Sequence, residues 1–184
     1  FKTNIFYSTI GMVGDFQVYN VVAAASICIA LGMDPNLVFK SLCYLKPAKG
    51  RMEIISGTMN NSLVIIDYAH SPAALKSVLK SIKVMANGKI ITLFGCGGER
   101  DTDKRKVMGE IAAKYSDLVI ITDDNPRNET ASNIREEILK GCPNATEVPN
   151  RNKAISYAVS KLEKNDLLLI AGKGHETSQT IGTE

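Results

Sequence analysis

Residues 117–129 read "DLVIITDDNPRNE", a short β-branched run that ends in two aspartates, an asparagine, a proline and an arginine. An apolar run of this length, closed by a turn, reads as a buried strand over 117–122. Pro126 fixes its own φ and biases Asn125 toward an extended backbone, so the corner is stiff. Arg127 carries a planar fork of donors that suits a carboxylate or a phosphate. Asp124 suits an ammonium group. The plainer reading is a surface turn whose charges cancel.

Three other segments repeat the layout of an apolar run followed by polar residues. They are "SLVIIDYAHSP" (62–72), "KIITLFGCGGERD" (89–101) and "DLLLIAGKGHE" (166–176). Helical patterns lie between them at 72–86, 104–115, 131–141 and 151–164, with a weak strand at "TEV" (146–148). In the last helix Ala154, Ile155, Ala158, Val159 and Leu162 share one stripe, the spacing of a single buried face. "MEIIS" (52–56) and "SLVIID" (62–67) flank "GTMNN" (57–61) and read as a hairpin. Strands that alternate with helices predict an α/β, Rossmann-like fold. Its sheet is mostly parallel, has helices on both faces, and takes its first strand as an antiparallel member. In such a sheet the C-terminal strand ends share one edge, where ligands bind. The four polar clusters therefore face one crevice.

Before residue 50 no strand pattern of similar strength occurs. "VVAAASICIALGM" (21–33) is an alanine-rich helix pattern, and "DPNLVFKSLCYL" (34–45) a second short one, with Asp34 as cap and Pro35 as first residue. "KPAKG" (46–50) reads as a linker, which divides the chain into domains 1–48 and 49–184. The 184 residues are 45% hydrophobic and 22% charged with a net charge of +3, and the scattered lysines suit a solvated surface rather than a nucleic-acid groove. No apolar run approaches the roughly 18 residues of a membrane span. Cys28, Cys43, Cys96 and Cys142 are widely spaced and read as reduced thiols of a cytoplasmic protein. Two histidines, His70 and His175, do not suggest a metal centre. A start at Phe1 without methionine and an end at "TIGTE" read as a fragment.

"FGCGGERDTDKR" (94–105) is not a dinucleotide fingerprint, because Arg100 stands where the third glycine of G-x-G-x-x-G is required. Its glycines still allow close approach of a ligand, with Arg100 projecting into the crevice, and Cys96 reads as small filler. "AGKGHE" (171–176) is not a phosphate loop, and G-x-x-x-x-G-K-[ST] occurs nowhere in the chain. Gly172, Lys173 and Gly174 before His175 and Glu176 are more specific than a plain turn. Asp67 and His70 in "DYAHSP" and Arg51 in "GRME" (50–53) carry weaker signals. A crevice that holds Arg100 and Arg127 with Asp124 and Glu176 fits a ligand bearing carboxylates and amines together, such as an amino acid.

Taken in order, "GRME", "DYAHSP", "FGCGGERD", "DDNPR" and "GKGHE" resemble the C-terminal part of the Mur ligases. "DDNPR" resembles the diaminopimelate-adding branch rather than the lysine-adding branch or the folylpolyglutamate synthases. "GDFQVYN" (14–20) with the helix after it resembles the end of the family's central ATPase domain, although Gln17 stands where asparagine is usual. The resemblance implies that 1–48 is the tail of that domain and 49–184 the C-terminal, glutamate-ligase-like domain. It implies ATP-dependent addition of meso-diaminopimelate to UDP-N-acetylmuramoyl-L-alanyl-D-glutamate (the UDP-N-acetylmuramoyl-dipeptide) through an acyl phosphate, in peptidoglycan synthesis. Arg100, Asp124, Asn125, Arg127, Gly172 and Glu176 would bind diaminopimelate, while Asn20, Arg51, Asp67 and His70 would contact ATP. The phosphate loop and the Mg²⁺ ligands would lie upstream, leaving no catalytic or metal residue here and a chain inactive by itself. Two alternatives stay open: a folylpolyglutamate- or cyanophycin-type ligase domain, and a non-catalytic Rossmann-like module that binds a nucleotide or an amino acid.

Overall fold

A computed structural model describes residues 5–55 and 61–182. The chain divides into two units, Phe1–Ala48 and Lys49–Glu184. In the first, Gly14 (φ 102) opens α1 (Asp15–Ala30), whose buried residues Gln17, Val21 and Ala25 recur every four positions along one stripe. The helix starts six residues before the alanine-rich run. It ends at Gly32 (φ 92), where Met33 N–H reaches back to the Cys28 carbonyl at 3.1 Å, a Schellman closure that needs a left-handed residue. Asp34 then accepts from Asn36 N–H at 3.0 Å and Pro35 opens α2 (Pro35–Ser41), as its spacing predicts.

The second unit holds six strands: β1 (Glu53–Ile55), β2 (Leu63–Ile66), β3 (Ile90–Phe94), β4 (Leu118–Ile121), β5 (Thr146–Glu147) and β6 (Leu167–Ile170). Their order is β1-β2-β6-β3-β4-β5, with β1 antiparallel to β2 and every other pair parallel. Of the expected hairpin's connecting turn (57–61), residues 57–60 lie outside the described residues, as does Ser56 before it. Between strands run α3 (Pro72–Met85), α4 (Asp103–Tyr115), α5 (Ala131–Leu139) and α6 (Arg151–Ser160).

The chain steps from β2 through β3 and β4 to β5 in one direction, then returns to β6. Right-handed crossovers therefore put α3, α4 and α5 on one face and α6 on the other. The packing agrees. Val64, Ile91, Leu93, Ile120, Leu168 and Ile170 gather around Ala154 and Ala158 of α6. The interleaved Ile65, Ile90, Phe94, Ile121, Leu167 and Leu169 point to the opposite face by strand alternation, and each is fully buried. Both faces are covered, which is why the strands read as continuous apolar runs. Among the described residues no helix is long and apolar enough to cross a membrane.

In the second unit α5 ends at Leu139, two residues short of its sequence pattern, and α6 falls further short. α6 ends at Ser160 rather than 164, because Lys161 and Leu162 donate to Ala158 and Val159, three residues back, and tighten the last turn. Leu162 still packs on the core, whereas Val159 is 48% exposed. At the other end Asn150 caps the helix, its side chain accepting from Lys153 N–H at 3.0 Å. Asn150→Ala should cost about 1 kcal/mol in urea unfolding, and Asn150→Gly only a few tenths. Equal losses for both would show that the cap bond is not what stabilises the helix start.

Candidate functional site

Each strand of the central four ends in a polar turn at the same edge. After β2, Asp67 is buried and its carboxylate accepts from Met52 N–H (2.8 Å) and Ala69 N–H (2.7 Å). Burial pushes its pKa up against the opposing pull of those two donors and of Arg51. Asp67 therefore holds the segment before β1 against the exit of β2. The neighbouring Tyr68 ring carries the Arg51 guanidinium at 4.6 Å and meets His70 edge-on at 4.8 Å and His175 at 5.4 Å. His70 is exposed, with Nδ1 2.9 Å from the Tyr68 carbonyl.

After β3 comes the glycine loop, and its glycines are there for the neighbouring turn. A Cβ on Gly98 would overlap the Pro126 carbonyl, and one on Gly97 would come within 2.9 Å of Arg127 Nη1. Arg127 sits at φ 52 and donates from Nη1 to the Gly98 carbonyl at 2.7 Å. Its backbone bridges Ile181, with Gly182 N–H donating to the Arg127 carbonyl at 2.8 Å. Nε and Nη2 have no protein partner among the described residues, so the fork keeps donors for a ligand. Gly172, at φ 105, stands where a Cβ would meet Asp124 Oδ2 at 2.9 Å. Only glycine lets β6 end so close to that carboxylate.

Glu176 closes the ring of contacts. Its Oε1 accepts from Tyr68 Oη (3.3 Å), and its Oε2 accepts from Asn125 Nδ2 (3.0 Å) and Lys173 Nζ (2.8 Å). Burial alone would raise its pKa, but Lys173, Asn125 and Tyr68 together hold it below the ordinary glutamate value. An open cleft of about 490 Å³ results, a size that suits a small ligand. His70, Arg100 and Arg127 line it against Asp124 and Glu176, with Asn125 and Gly172 between them.

Seven of the ten residues singled out in the sequence thus share one cleft. Arg51 lies behind it on Tyr68, and Asp67 lies inside its wall. Asn20 belongs to the first unit, where it is exposed and donates to Gln17 Oε1 at 3.1 Å. Sequence reasoning left out Tyr68, Asp101 and Lys104, which also line the cleft, and Arg105 and Arg151 beneath it, and it named Lys173 without reading its burial. Lys173 is 8% exposed, and Arg105 is 1% exposed with ion pairs to Glu129 and Glu137. Arg151 donates to the Ala171 carbonyl at 2.9 Å, which fixes the exit of β6. Arg105 had a legible signal, since it shares a stripe with Met108, Gly109 and Ala112 on the buried face of α4.

Cys96 sits beneath the loop, buried, and burial pushes its thiol up to about 12. Cys142, also buried, is pushed up to about 11. Neither should react with iodoacetamide near pH 8 until the protein unfolds, because the thiolate is the nucleophile. Mass spectrometry showing either one labelled in the folded protein would contradict this burial. Among the described residues no group of three or more His, Cys, Asp or Glu side chains is placed to hold a metal ion.

A mostly parallel sheet with mixed-charge loops at its C-terminal edge is the layout of the α/β class, in which that edge is where small molecules bind. Residues 50–174 match the family model of the Mur ligase glutamate ligase domain, and the chain belongs to that family. It is 46% identical over 179 residues to a UDP-N-acetylmuramoyl-L-alanyl-D-glutamate--2,6-diaminopimelate ligase of Agrobacterium fabrum, covering 97% of this chain and 37% of that protein. A ligase of the same name from Bradyrhizobium diazoefficiens is 47% identical over 173 residues, 94% of this chain and 36% of its own length. The chain spans little more than a third of these relatives. A solved structure of a ligase of that name superposes with a TM-score of 0.71 at 34% identity, covering 97% of this chain and 37% of that one. A folylpolyglutamate synthase of Mycobacterium tuberculosis superposes with a TM-score of 0.70 at 20% identity over 89% of this chain and 38% of that one, which shows a shared fold only.

Proposed function

We propose that this chain supplies the amino-acid-binding part of an ATP-dependent ligase that joins meso-diaminopimelate to UDP-N-acetylmuramoyl-L-alanyl-D-glutamate. On this reading residues 49–184 are the C-terminal domain and 1–48 the end of the central ATPase domain. The observation that carries it is the convergence of Arg127 with Asp124 and Glu176 in one cleft. Diaminopimelate has an amino-acid group at each end. The carboxylate of its far end pairs with the Arg127 fork, and the ammonium beside it with the two acids. The relatives' names supply the acceptor.

ATP supplies the activation of the acceptor carboxylate. This chain's own part in its binding is one wall: the Arg51–Tyr68 stack and His70 present a cationic and aromatic face that suits a nucleotide. Asp67 holds that wall by its two backbone contacts. The sequence contains no G-x-x-x-x-G-K-[ST] loop to grip a triphosphate, and among the described residues no group of three or more His, Cys, Asp or Glu is placed to hold a metal ion. The isolated chain should therefore neither hydrolyse ATP nor form the amide bond. Turnover by the purified chain, abolished by changing its own residues, would overturn that expectation.

The reading itself is tested with the full-length ligase and a panel of meso-diaminopimelate, lysine, glutamate and alanine. Diaminopimelate should be the preferred amine substrate by kcat/KM. Equal or better use of lysine or glutamate would replace this reading with another branch of the family.

A further inference from the structure

Asn125 and Glu176 line the cleft, but what orients them lies behind it. Lys173 Nζ donates to Asn125 Oδ1 at 2.7 Å and to Glu176 Oε2 at 2.8 Å, from a side chain that is all but buried. Thr180 N–H donates to the same Asn125 oxygen at 3.0 Å. Two donors on Oδ1 determine which way the amide points, so Nδ2 must lie toward Glu176 and the cleft. Glu176 has Oε2 doubly occupied, which leaves Oε1, shared with the Tyr68 hydroxyl, as the oxygen open to a ligand. The cleft wall thus presents a donor, Asn125 Nδ2, beside an acceptor, Glu176 Oε1. That order suits the carboxylate and ammonium of one amino-acid group.

We propose that Lys173 is a positioning residue: its buried ammonium sets the donor–acceptor order of Asn125 and Glu176 and thereby the affinity for the amino-acid substrate. The proposal rests on the diaminopimelate reading above. Its physical basis is that a buried ion pair with satisfied hydrogen bonds fixes geometry, whereas removing one partner leaves the other charge uncompensated. Without Lys173, Asn125 Oδ1 keeps only the Thr180 N–H, and the amide, still oriented by Thr180 and Glu176, is held less firmly. Glu176, half-buried, loses the cation hydrogen-bonded to it. The groups nearest that carboxylate are Lys173 on its own loop, Tyr68 at the exit of β2, Asn125 after β4 and Arg151 of α6, while His70, Arg100, Asp101, Lys104, Asp124 and Arg127 line the same cleft and His175 lies against Tyr68. Of these cations only Lys173 is hydrogen-bonded to it.

The test uses the full-length ligase with Lys173→Met, which keeps the chain length and removes the charge. KM for diaminopimelate should rise about tenfold or more, while kcat and KM for ATP stay within about twofold. The pH dependence should also change. Glu176 in the wild type is ionised throughout the neutral range, so its KM stays flat from about pH 8 to about pH 6. In the variant only Asn125 and Tyr68 still hold the carboxyl ionised by hydrogen bonds, so it takes up a proton at higher pH than in the wild type and KM climbs sooner on the acid side. Lys173→Arg should restore part of the affinity and the flat profile. Parallel changes in both KM values, or an unchanged KM for diaminopimelate, would overturn the proposal. Should Lys173→Met not fold, Lys173→Gln answers the same question, since it keeps a donor and loses the charge. Carbon-13 NMR titration of the Glu176 carboxyl in the wild type needs no substrate. A midpoint at or above the ordinary glutamate value overturns the proposal independently. A wild-type enzyme that does not use diaminopimelate at all would instead sink the reading beneath it.

Discussion

Arg127→Ala in the full-length ligase is expected to lower kcat/KM for meso-diaminopimelate relative to lysine by about ten- to hundredfold. A charge-assisted contact from a guanidinium fork contributes about 1.5–3 kcal/mol, and about 1.4 kcal/mol is a factor of ten. Lysine lacks the distal carboxylate and has little to lose. In the structure Nη1 already donates to the Gly98 carbonyl, which holds the fork in place and leaves Nε and Nη2 to the ligand. Arg127→Lys should rescue only part of the ratio, because a single ammonium cannot satisfy both Gly98 and a carboxylate in the same geometry. The left-handed backbone at φ 52 does not confuse the comparison, since alanine and lysine meet the same strain there. A ratio within twofold of wild type, in a folded protein, would remove this corner from the specificity site.

The largest stability effect is expected at Arg105. This guanidinium is fully buried, with Nη2 2.9 Å from Glu129 and Nη1 2.9 Å from Glu137. Burial pulls its pKa down, but the two carboxylates outweigh that and leave it raised. Nη2 also donates to the Gly97 carbonyl at 3.3 Å, and Glu129 in turn accepts from Glu99 N–H. The pair of acids thus ties the glycine loop to α4 and α5. Arg105→Met keeps the apolar packing and strips both acids of their cation. It should cost about 3 kcal/mol, the low end for breaking a buried pair, because both carboxylates reach solvent. Among the described residues Arg105 Nε has no partner, so the arginine is itself incompletely satisfied there. Changing Glu129 and Glu137 to glutamine alongside Arg105→Met should therefore recover most of the loss. Urea unfolding that shows a loss below about 1 kcal/mol for the single variant would mean the network is solvated rather than structural.

Much of the site was legible because its residues interrupt apolar runs. "TDDNPR" and "AGKGHE" stand out after "DLVII" and "DLLLI" without any knowledge of which strands are neighbours. The insertion of β6 between β2 and β3 was not legible, since periodicity says that a segment is a strand but not beside which one it lies. Yet that insertion brings Glu176 within reach of Asn125 and Tyr68. Burial was the other hidden quantity. Asp67 looks the same in sequence whether its carboxylate faces a ligand or two backbone N–H groups. Lys173, inside a quoted motif, gave no sign that its ammonium points inward. Helix limits slipped for local reasons: α1 begins at Asp15 because Gly14 turns the chain there, ahead of the alanines.

The central claim is that one cleft reads both charges of an amino-acid group through Arg127 on one side and Asp124 and Glu176 on the other. A crystal structure of the full-length ligase with meso-diaminopimelate tests it most directly. The account predicts the distal carboxylate on Arg127 Nε and Nη2, with the adjacent ammonium against Glu176 Oε1 and Asp124. Diaminopimelate bound elsewhere, or bound in the cleft with Arg127 Nε and Nη2 making no contact to it, would contradict it.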